Sequence, residues 1–320
     1  MVTDTRLAHF PISMFAIVMG LAGLTLVIDA LAEPGAWMGG IATALVTLDL
    51  AVFALIAVLY LVKGVRHPAA VRAEFNHPVK LSFFPAITIG LILLGMVTLE
   101  RWPGLAHLLW GIGTAGHLVL TLAILSRWMH QQHFEIHHSN PAWFIPIVGN
   151  ILVPIAGVPL GHEALSWFFF SVGLVFWPLL FAILLYRYFF HDPMPGKLMP
   201  TLFIFIAPPA VGFLSWLALH PGAAPDGFAL VLFNVAIFLT LLLVWQIGRF
   251  VRLPFALSWW AYSFPVAAMT LATLRMAGAT EDAFWGGLAL VLVVATVVLV
   301  VGLAVRTLVA VARGQICQPE

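Results

Sequence analysis

Long apolar runs alternate with short polar breaks along this chain, and none of the runs shows the every-other-residue alternation of a half-buried strand. Ten runs lie near 9–31, 39–62, 81–99, 104–127, 141–158, 164–187, 198–219, 227–248, 255–277 and 284–311. Each is close to the length at which a helix crosses a bilayer. Inside lipid, every backbone N–H and C=O must be satisfied within its own segment or within a closed barrel. Continuous apolar runs of this length select helices over barrel strands. The pattern therefore predicts an all-α polytopic membrane protein with ten transmembrane helices. Short linkers make residues 1–320 one transmembrane domain, with short tails at 1–8 and 312–320. The first run is too long for a signal-peptide core and has no small-residue cleavage site after it, so no cleaved leader is expected.

Composition fits the pattern. Hydrophobic residues make up 62% of the chain and charged residues 8%, far below the roughly one quarter charged that a soluble domain carries. The few basic residues then report orientation. With ten alternating spans, Arg6, Lys63, Arg66, Arg72, Lys80, Arg127, Arg187, Lys197, Arg249, Arg252, Arg306 and Arg313 fall on one face. The other face keeps only Arg101 and Arg275. Basic loops stay in the cytoplasm, so both termini are expected there. A net charge of +1 gives no hint of a nucleic-acid partner, and the single cysteine, Cys317, rules out an intrachain disulfide.

The odd-numbered runs repeat one another. The first contains "SMFAIVMGL", the third "SFFPAITIGL", the fifth "WFIPIVGN", the seventh "IFIAPPAVG" and the ninth "AYSFPVAA". Pro85, Pro146, Pro208 and Pro265 recur at spacings of 61, 62 and 57 residues, the length of one helical hairpin with its loops. Repeats of this period mark a stacked or circular architecture. All odd runs point the same way through the membrane, so five parallel hairpins are expected to close quasi-symmetrically around a central pore. A mid-helix proline frees a carbonyl that lipid would penalise, and four prolines at one depth predict kinks at a pore waist. Kinks that only improve packing are the alternative.

At 100° per residue, Leu257, Phe264, Ala268, Leu271 and Arg275 share one face of the ninth run. Phe264 is the bulkiest residue of that stripe among alanines, and Phe15, Phe84, Ile145 and Ala207 align with it. Phe264 is the expected gate, with Phe15, Phe84 and Ile145 as candidates for the same constriction, because aromatic waists stop ions by exclusion and dewetting. Arg275 lies about 16 Å further along the helix. There it either attracts anions to the outer mouth or anchors the helix end.

Asp49 falls near the centre of the second run, where a carboxylate is costly and commonly functional. It belongs to an outer helix, so it is expected to face a neighbour, with Asn150 and His117 as possible partners. Structural hydrogen bonding and proton coupling both remain open for it. "GIGTAG", residues 111–116, fits a dinucleotide-binding pattern but lies inside an apolar span, where small residues serve close helix packing. "HQQHFEIHH" places His130, His133 and His137 near one helical face at a helix end, without a convincing ligand set, so no metal site is assigned. Neither "HExxH" nor "GxSxG" occurs, and no enzymatic activity or cofactor is expected.

The stretches "FPISMFAIVMGLAGL", "EFNHPVKLSFF", "SNPAWFIPIVGN" and "WWAYSFPVAA" resemble the tellurite-resistance/dicarboxylate transporter family, which includes bacterial TehA proteins and plant slow (SLAC-type) anion channels. The resemblance covers nearly the whole chain. It implies five quasi-symmetric hairpins, a homotrimer with one pore per subunit, and a gating phenylalanine that matches Phe264. It also implies passage of chloride and nitrate without a bound cofactor, in a bacterial inner (plasma) membrane. Relatives linked to tellurite, malate and sulfite make a proton-coupled carrier of dicarboxylates or oxyanions the alternative.

Overall fold

The computed structural model describes residues 6–31, 37–130 and 134–318, and all of the secondary structure among them is helical. The elements used below are α1 (Phe15–Asp29), α2 (Trp37–Arg66), α3 (Pro68–Asn76), α4 (Ala86–Thr98), α5 (Pro103–His130) and α6 (Ile145–Val148). They continue with α7 (Val153–Gly157), α8 (Glu163–Phe190), α9 (Ala207–Leu219), α10 (Gly227–Trp245), α11 (Ser263–Thr280) and α12 (Ala283–Ala312). Among the described residues, eight helical stretches are long and apolar enough to cross a membrane. The fifth expected span is the shorter stretch Pro141–Gly157. The ninth runs through Leu257–Tyr262 into α11.

Burial separates two layers. The stretches Ile12–Asp29, Lys80–Thr98 and Gly196–Leu219 are 61–89% buried, whereas the intervening long helices are only 22–33% buried. The latter expose Leu55, Leu122, Phe189, Leu241 and Val298, as expected of faces turned to hydrocarbon. The inner elements form a circuit: α1 touches α4 and α11, α9 touches α11 and α7, and α7 touches α4. Each inner element also packs on the long helix that follows it in the chain.

Small residues set these approaches. A Cβ at Gly113 would lie 2.9 Å from the Ile92 nitrogen, and one at Gly116 would lie 2.9 Å from Thr88 Cγ2. The "GIGTAG" run therefore seats α5 against α4, as small residues do between membrane helices.

The four repeated prolines sit where the helix type changes within their inner segments. Each inner segment starts as a 3₁₀ helix: Ile12–Met14, Lys80–Phe83, Pro141–Phe144, Gly196–Ile206 and Leu257–Tyr262. It then becomes α-helical. Pro85 immediately precedes α4, Pro146 and Pro208 are the second residues of α6 and α9, and Pro265 is the third of α11. Proline lacks the N–H that would continue the bonding from the 3₁₀ turn into the α-helix, so the junction is where one winding gives way to the other. Side chains take up neighbouring carbonyls. Thr88 Oγ1 donates to Pro85 O at 2.9 Å, Ser263 Oγ to Trp260 O at 2.6 Å and Thr121 Oγ1 to Pro146 O at 2.7 Å. The first segment has Ala16 in place of proline, yet it makes the same 3₁₀-to-α change at Phe15.

Candidate functional site: an apolar cavity at the centre of the inner circuit

A cavity of about 50 Å³ lies where the inner segments meet, and all five contribute to its wall. Ala16 and Met19 come from the first, Phe83 and Ile89 from the third, and Phe144, Ile145 and Gly149 from the fifth. Ile204, Ala207 and Val211 come from the seventh, and Trp260, Ala261, Phe264 and Pro265 from the ninth. The volume holds about three to five waters at the 10–15 Å³ each one requires. Among the described residues, none of the lining side chains is ionisable. The one polar atom on them, Trp260 Nε1, donates to Thr307 Oγ1 at 2.9 Å.

The change of helix type decides which residues face this space. A 3₁₀ helix turns 120° per residue where an α-helix turns 100°. In the 3₁₀ winding Ala261, three residues before Phe264, shares its direction, and both line the cavity. Trp260 and Ala261 line the cavity, while Leu257, Ala268 and Leu271 are not among its lining residues. Phe264 is 8% exposed, and its ring lies beside Gly23 of α1.

Of the other aligned positions, Ile145 and Ala207 line the cavity, whereas Phe15 and Phe84 do not. The Phe15 ring packs edge-on against Phe53 at 5.8 Å and Tyr60 at 6.0 Å, and Phe84 packs against Phe75 at 4.8 Å. Their places on the wall are taken by neighbours, Ala16 and Phe83. Phe83 and Phe144, each just before the α-helical half, escaped the sequence reading. The doubled aromatic "SFFP" and the "WFIP" run were the available signals, but alignment of the repeats on Phe264 selects Phe84 and Ile145 instead.

Asp49 is buried on α2 and accepts a hydrogen bond from Thr25 Oγ1 of α1 at 2.7 Å; its Oδ1 has no hydrogen-bond partner among the described residues. Asn150 and His117 are not its partners, because α2 packs on α1 whereas His117 lies on α5. His117 Nδ1 meets Thr88 Oγ1 at 2.9 Å, and Asn150 Nδ2 donates to Ile147 O at 2.9 Å. Neither Asp49 nor Thr25 lines the cavity.

Arg275 is exposed on α11. Arg101 binds Asp29 through two hydrogen bonds, at 2.7 and 2.9 Å, which hold its guanidinium pKa above the usual value. His133 lies outside the described residues. α5 ends at His130 and residues 136–138 form a separate turn, so His130 and His137 do not share one helix. Among the described residues, no group of three or more metal-ligating side chains occurs.

The SLAC1 family model, described as a voltage-dependent anion channel, matches residues 9–308. The chain is 30% identical over 310 residues to the S-type anion channel SLAH3 of Arabidopsis thaliana, covering 95% of this chain and 48% of that protein. It is 28% identical to the guard cell S-type anion channel SLAC1 of the same plant, over 94% of this chain and 56% of that one. It is also 28% identical to a tellurite resistance protein TehA homolog of Haemophilus influenzae, with 83% and 80% covered. The chain thus spans about half the length of the plant relatives.

Proposed function

The chain belongs to the SLAC1 family of voltage-dependent anion channels and is a multi-pass membrane protein, and on that premise we propose that it is a gated, passive conduit for small monovalent anions such as chloride and nitrate. Phe264 is the plug, with Phe83, Phe144 and Ile145 narrowing the same level. The observation that carries this reading is the cavity at the centre of the inner circuit, walled by all five inner segments and, among the described residues, by no ionisable side chain. Such a wall offers an ion no tight binding site, which favours conduction over capture. The five inner segments with their outer partners are five hairpins around one pore, formed by the single domain 1–320. Arg275, exposed toward one end of α11, raises the local anion concentration at the outer mouth. The basic-residue bias supports cytoplasmic termini in the plasma membrane. The sequence resemblance is the support for a homotrimer.

One observation favours the carrier alternative: the buried Asp49 keeps an unpaired Oδ1. Its separation from the cavity wall weighs against coupling there. Planar-bilayer recording with ion substitution tests the proposal. Ohmic currents reversing at the chloride or nitrate equilibrium potential are expected. Electrically silent malate uptake that requires a pH gradient would replace the channel with the carrier.

A further inference from the structure

We propose that His107 and His162 form a binding site for one divalent transition-metal ion, at the end of the bundle where α5 begins. His107 lies in the first turns of α5, and His162 immediately precedes α8. Their Nε2 atoms face each other at 2.9 Å, with ring centroids 4.8 Å apart and planes crossing at 81°. Two neutral imidazoles in this arrangement share one hydrogen: one Nε2–H donates and the other Nε2 accepts.

The second ring is held in place. His162 stacks on Trp110 at 4.9 Å and 11°, and Trp110 is fixed in turn by donating Nε1–H to Val153 O at 3.0 Å. The His162 backbone is anchored on both sides, its N–H donating to Gly157 O at 2.8 Å and its carbonyl accepting from Ser166 N at 2.9 Å. His107, by contrast, is exposed. It is free to adjust.

Two Zn–N bonds of about 2.0–2.1 Å at a tetrahedral angle put the two nitrogens about 3.3 Å apart. The pair needs to open by only about 0.4 Å to accept the ion. The shared hydrogen moves to the remote Nδ1 of the ring that carried it, so two neutral rings bind the metal without losing a proton. No third protein ligand joins them among the described residues, and water completes the coordination. Imidazole pairs select Zn²⁺, Ni²⁺ and Cu²⁺ over Mg²⁺ and Ca²⁺, which prefer oxygen ligands. Glu163, in the first turn of α8, offsets the helix dipole that opposes a cation there. A bound ion would clamp α5 to the start of α8. This inference does not depend on what passes through the cavity.

Zn²⁺ titration calorimetry on the detergent-solubilised protein tests it, with His107→Ala and His162→Asn as separate variants. The wild type is expected to show one Zn²⁺ site per chain that both histidines are needed to form, weakened about tenfold or more in either variant, while His107→Ala keeps the wild-type thermal unfolding profile. Cu²⁺ loaded at one equivalent should give an electron paramagnetic resonance spectrum with hyperfine coupling to two imidazole nitrogens. A Zn²⁺ isotherm unchanged in His107→Ala, or a Cu²⁺ spectrum with a single nitrogen, would overturn the site.

Discussion

Gly23 of α1 and Phe264 of α11 meet with no side chain between them: a Cβ at Gly23 would stand 3.6 Å from Phe264 Cδ2 and 2.9 Å from Ala267 Cβ. One turn earlier, a Cβ at Gly20 would overlap Ser263. Two glycines on one face thus bring α1 against the helix that carries the proposed plug. Gly23→Val should overpack this seam and cost about 1–3 kcal/mol. Gly111→Val should cost far less, because among the described residues nothing outside its own helix lies within 4 Å of a Cβ there. Thermal unfolding in detergent compares the two, and equal midpoints would refute the close-approach argument.

Lys63 was legible in the sequence only as one of the basic residues that set orientation. In the structure it is 1% exposed. Its Nζ donates to Glu74 Oε2 at 2.6 Å and to Phe10 O at 2.8 Å, and Tyr60 OH donates to the same Glu74 oxygen at 2.9 Å. Breaking a buried pair strands the remaining charge and costs about 3–5 kcal/mol, whereas removing both charges is far milder. Lys63→Met should therefore lower stability strongly, and Lys63→Met with Glu74→Gln should recover most of the loss. A double variant no more stable than Lys63→Met would contradict that.

Asp49→Asn separates structural from coupling roles. Asparagine keeps an acceptor for the Thr25 hydroxyl, and neither residue touches the cavity. Chloride flux into liposomes should keep its rate and its pH profile in this variant. If the variant abolished a flux driven by a pH gradient, Asp49 would belong to a transport cycle.

The two-layer arrangement was legible because the inner and outer segments differ in kind. The even-numbered runs are apolar along their lengths, and four of the five odd-numbered runs carry a proline at hairpin spacing. The wall of the cavity was only partly legible. Sequence periodicity assumes 3.6 residues per turn, and the inner segments begin with 3.0. Phe264, Ile145 and Ala207, matched to one another by the repeat, do line the wall. Phe15 and Phe84, chosen by alignment with Phe264, turn their rings toward Tyr60 instead. The Asp49 partner was missed for a different reason. Burial could be read from the run, but only the packing of α2 on α1 brings Thr25 to it.

Single-channel recording of Phe264→Ala beside the wild type tests the central claim most directly. Removing the ring joins the space it fills to the cavity while leaving the other fifteen lining residues in place. Anion conductance should rise by an order of magnitude or more, with little change in ion preference, because the barrier removed is steric and apolar. An unchanged conductance in a folded Phe264→Ala protein would show that the aromatic plug is not what holds the pathway shut.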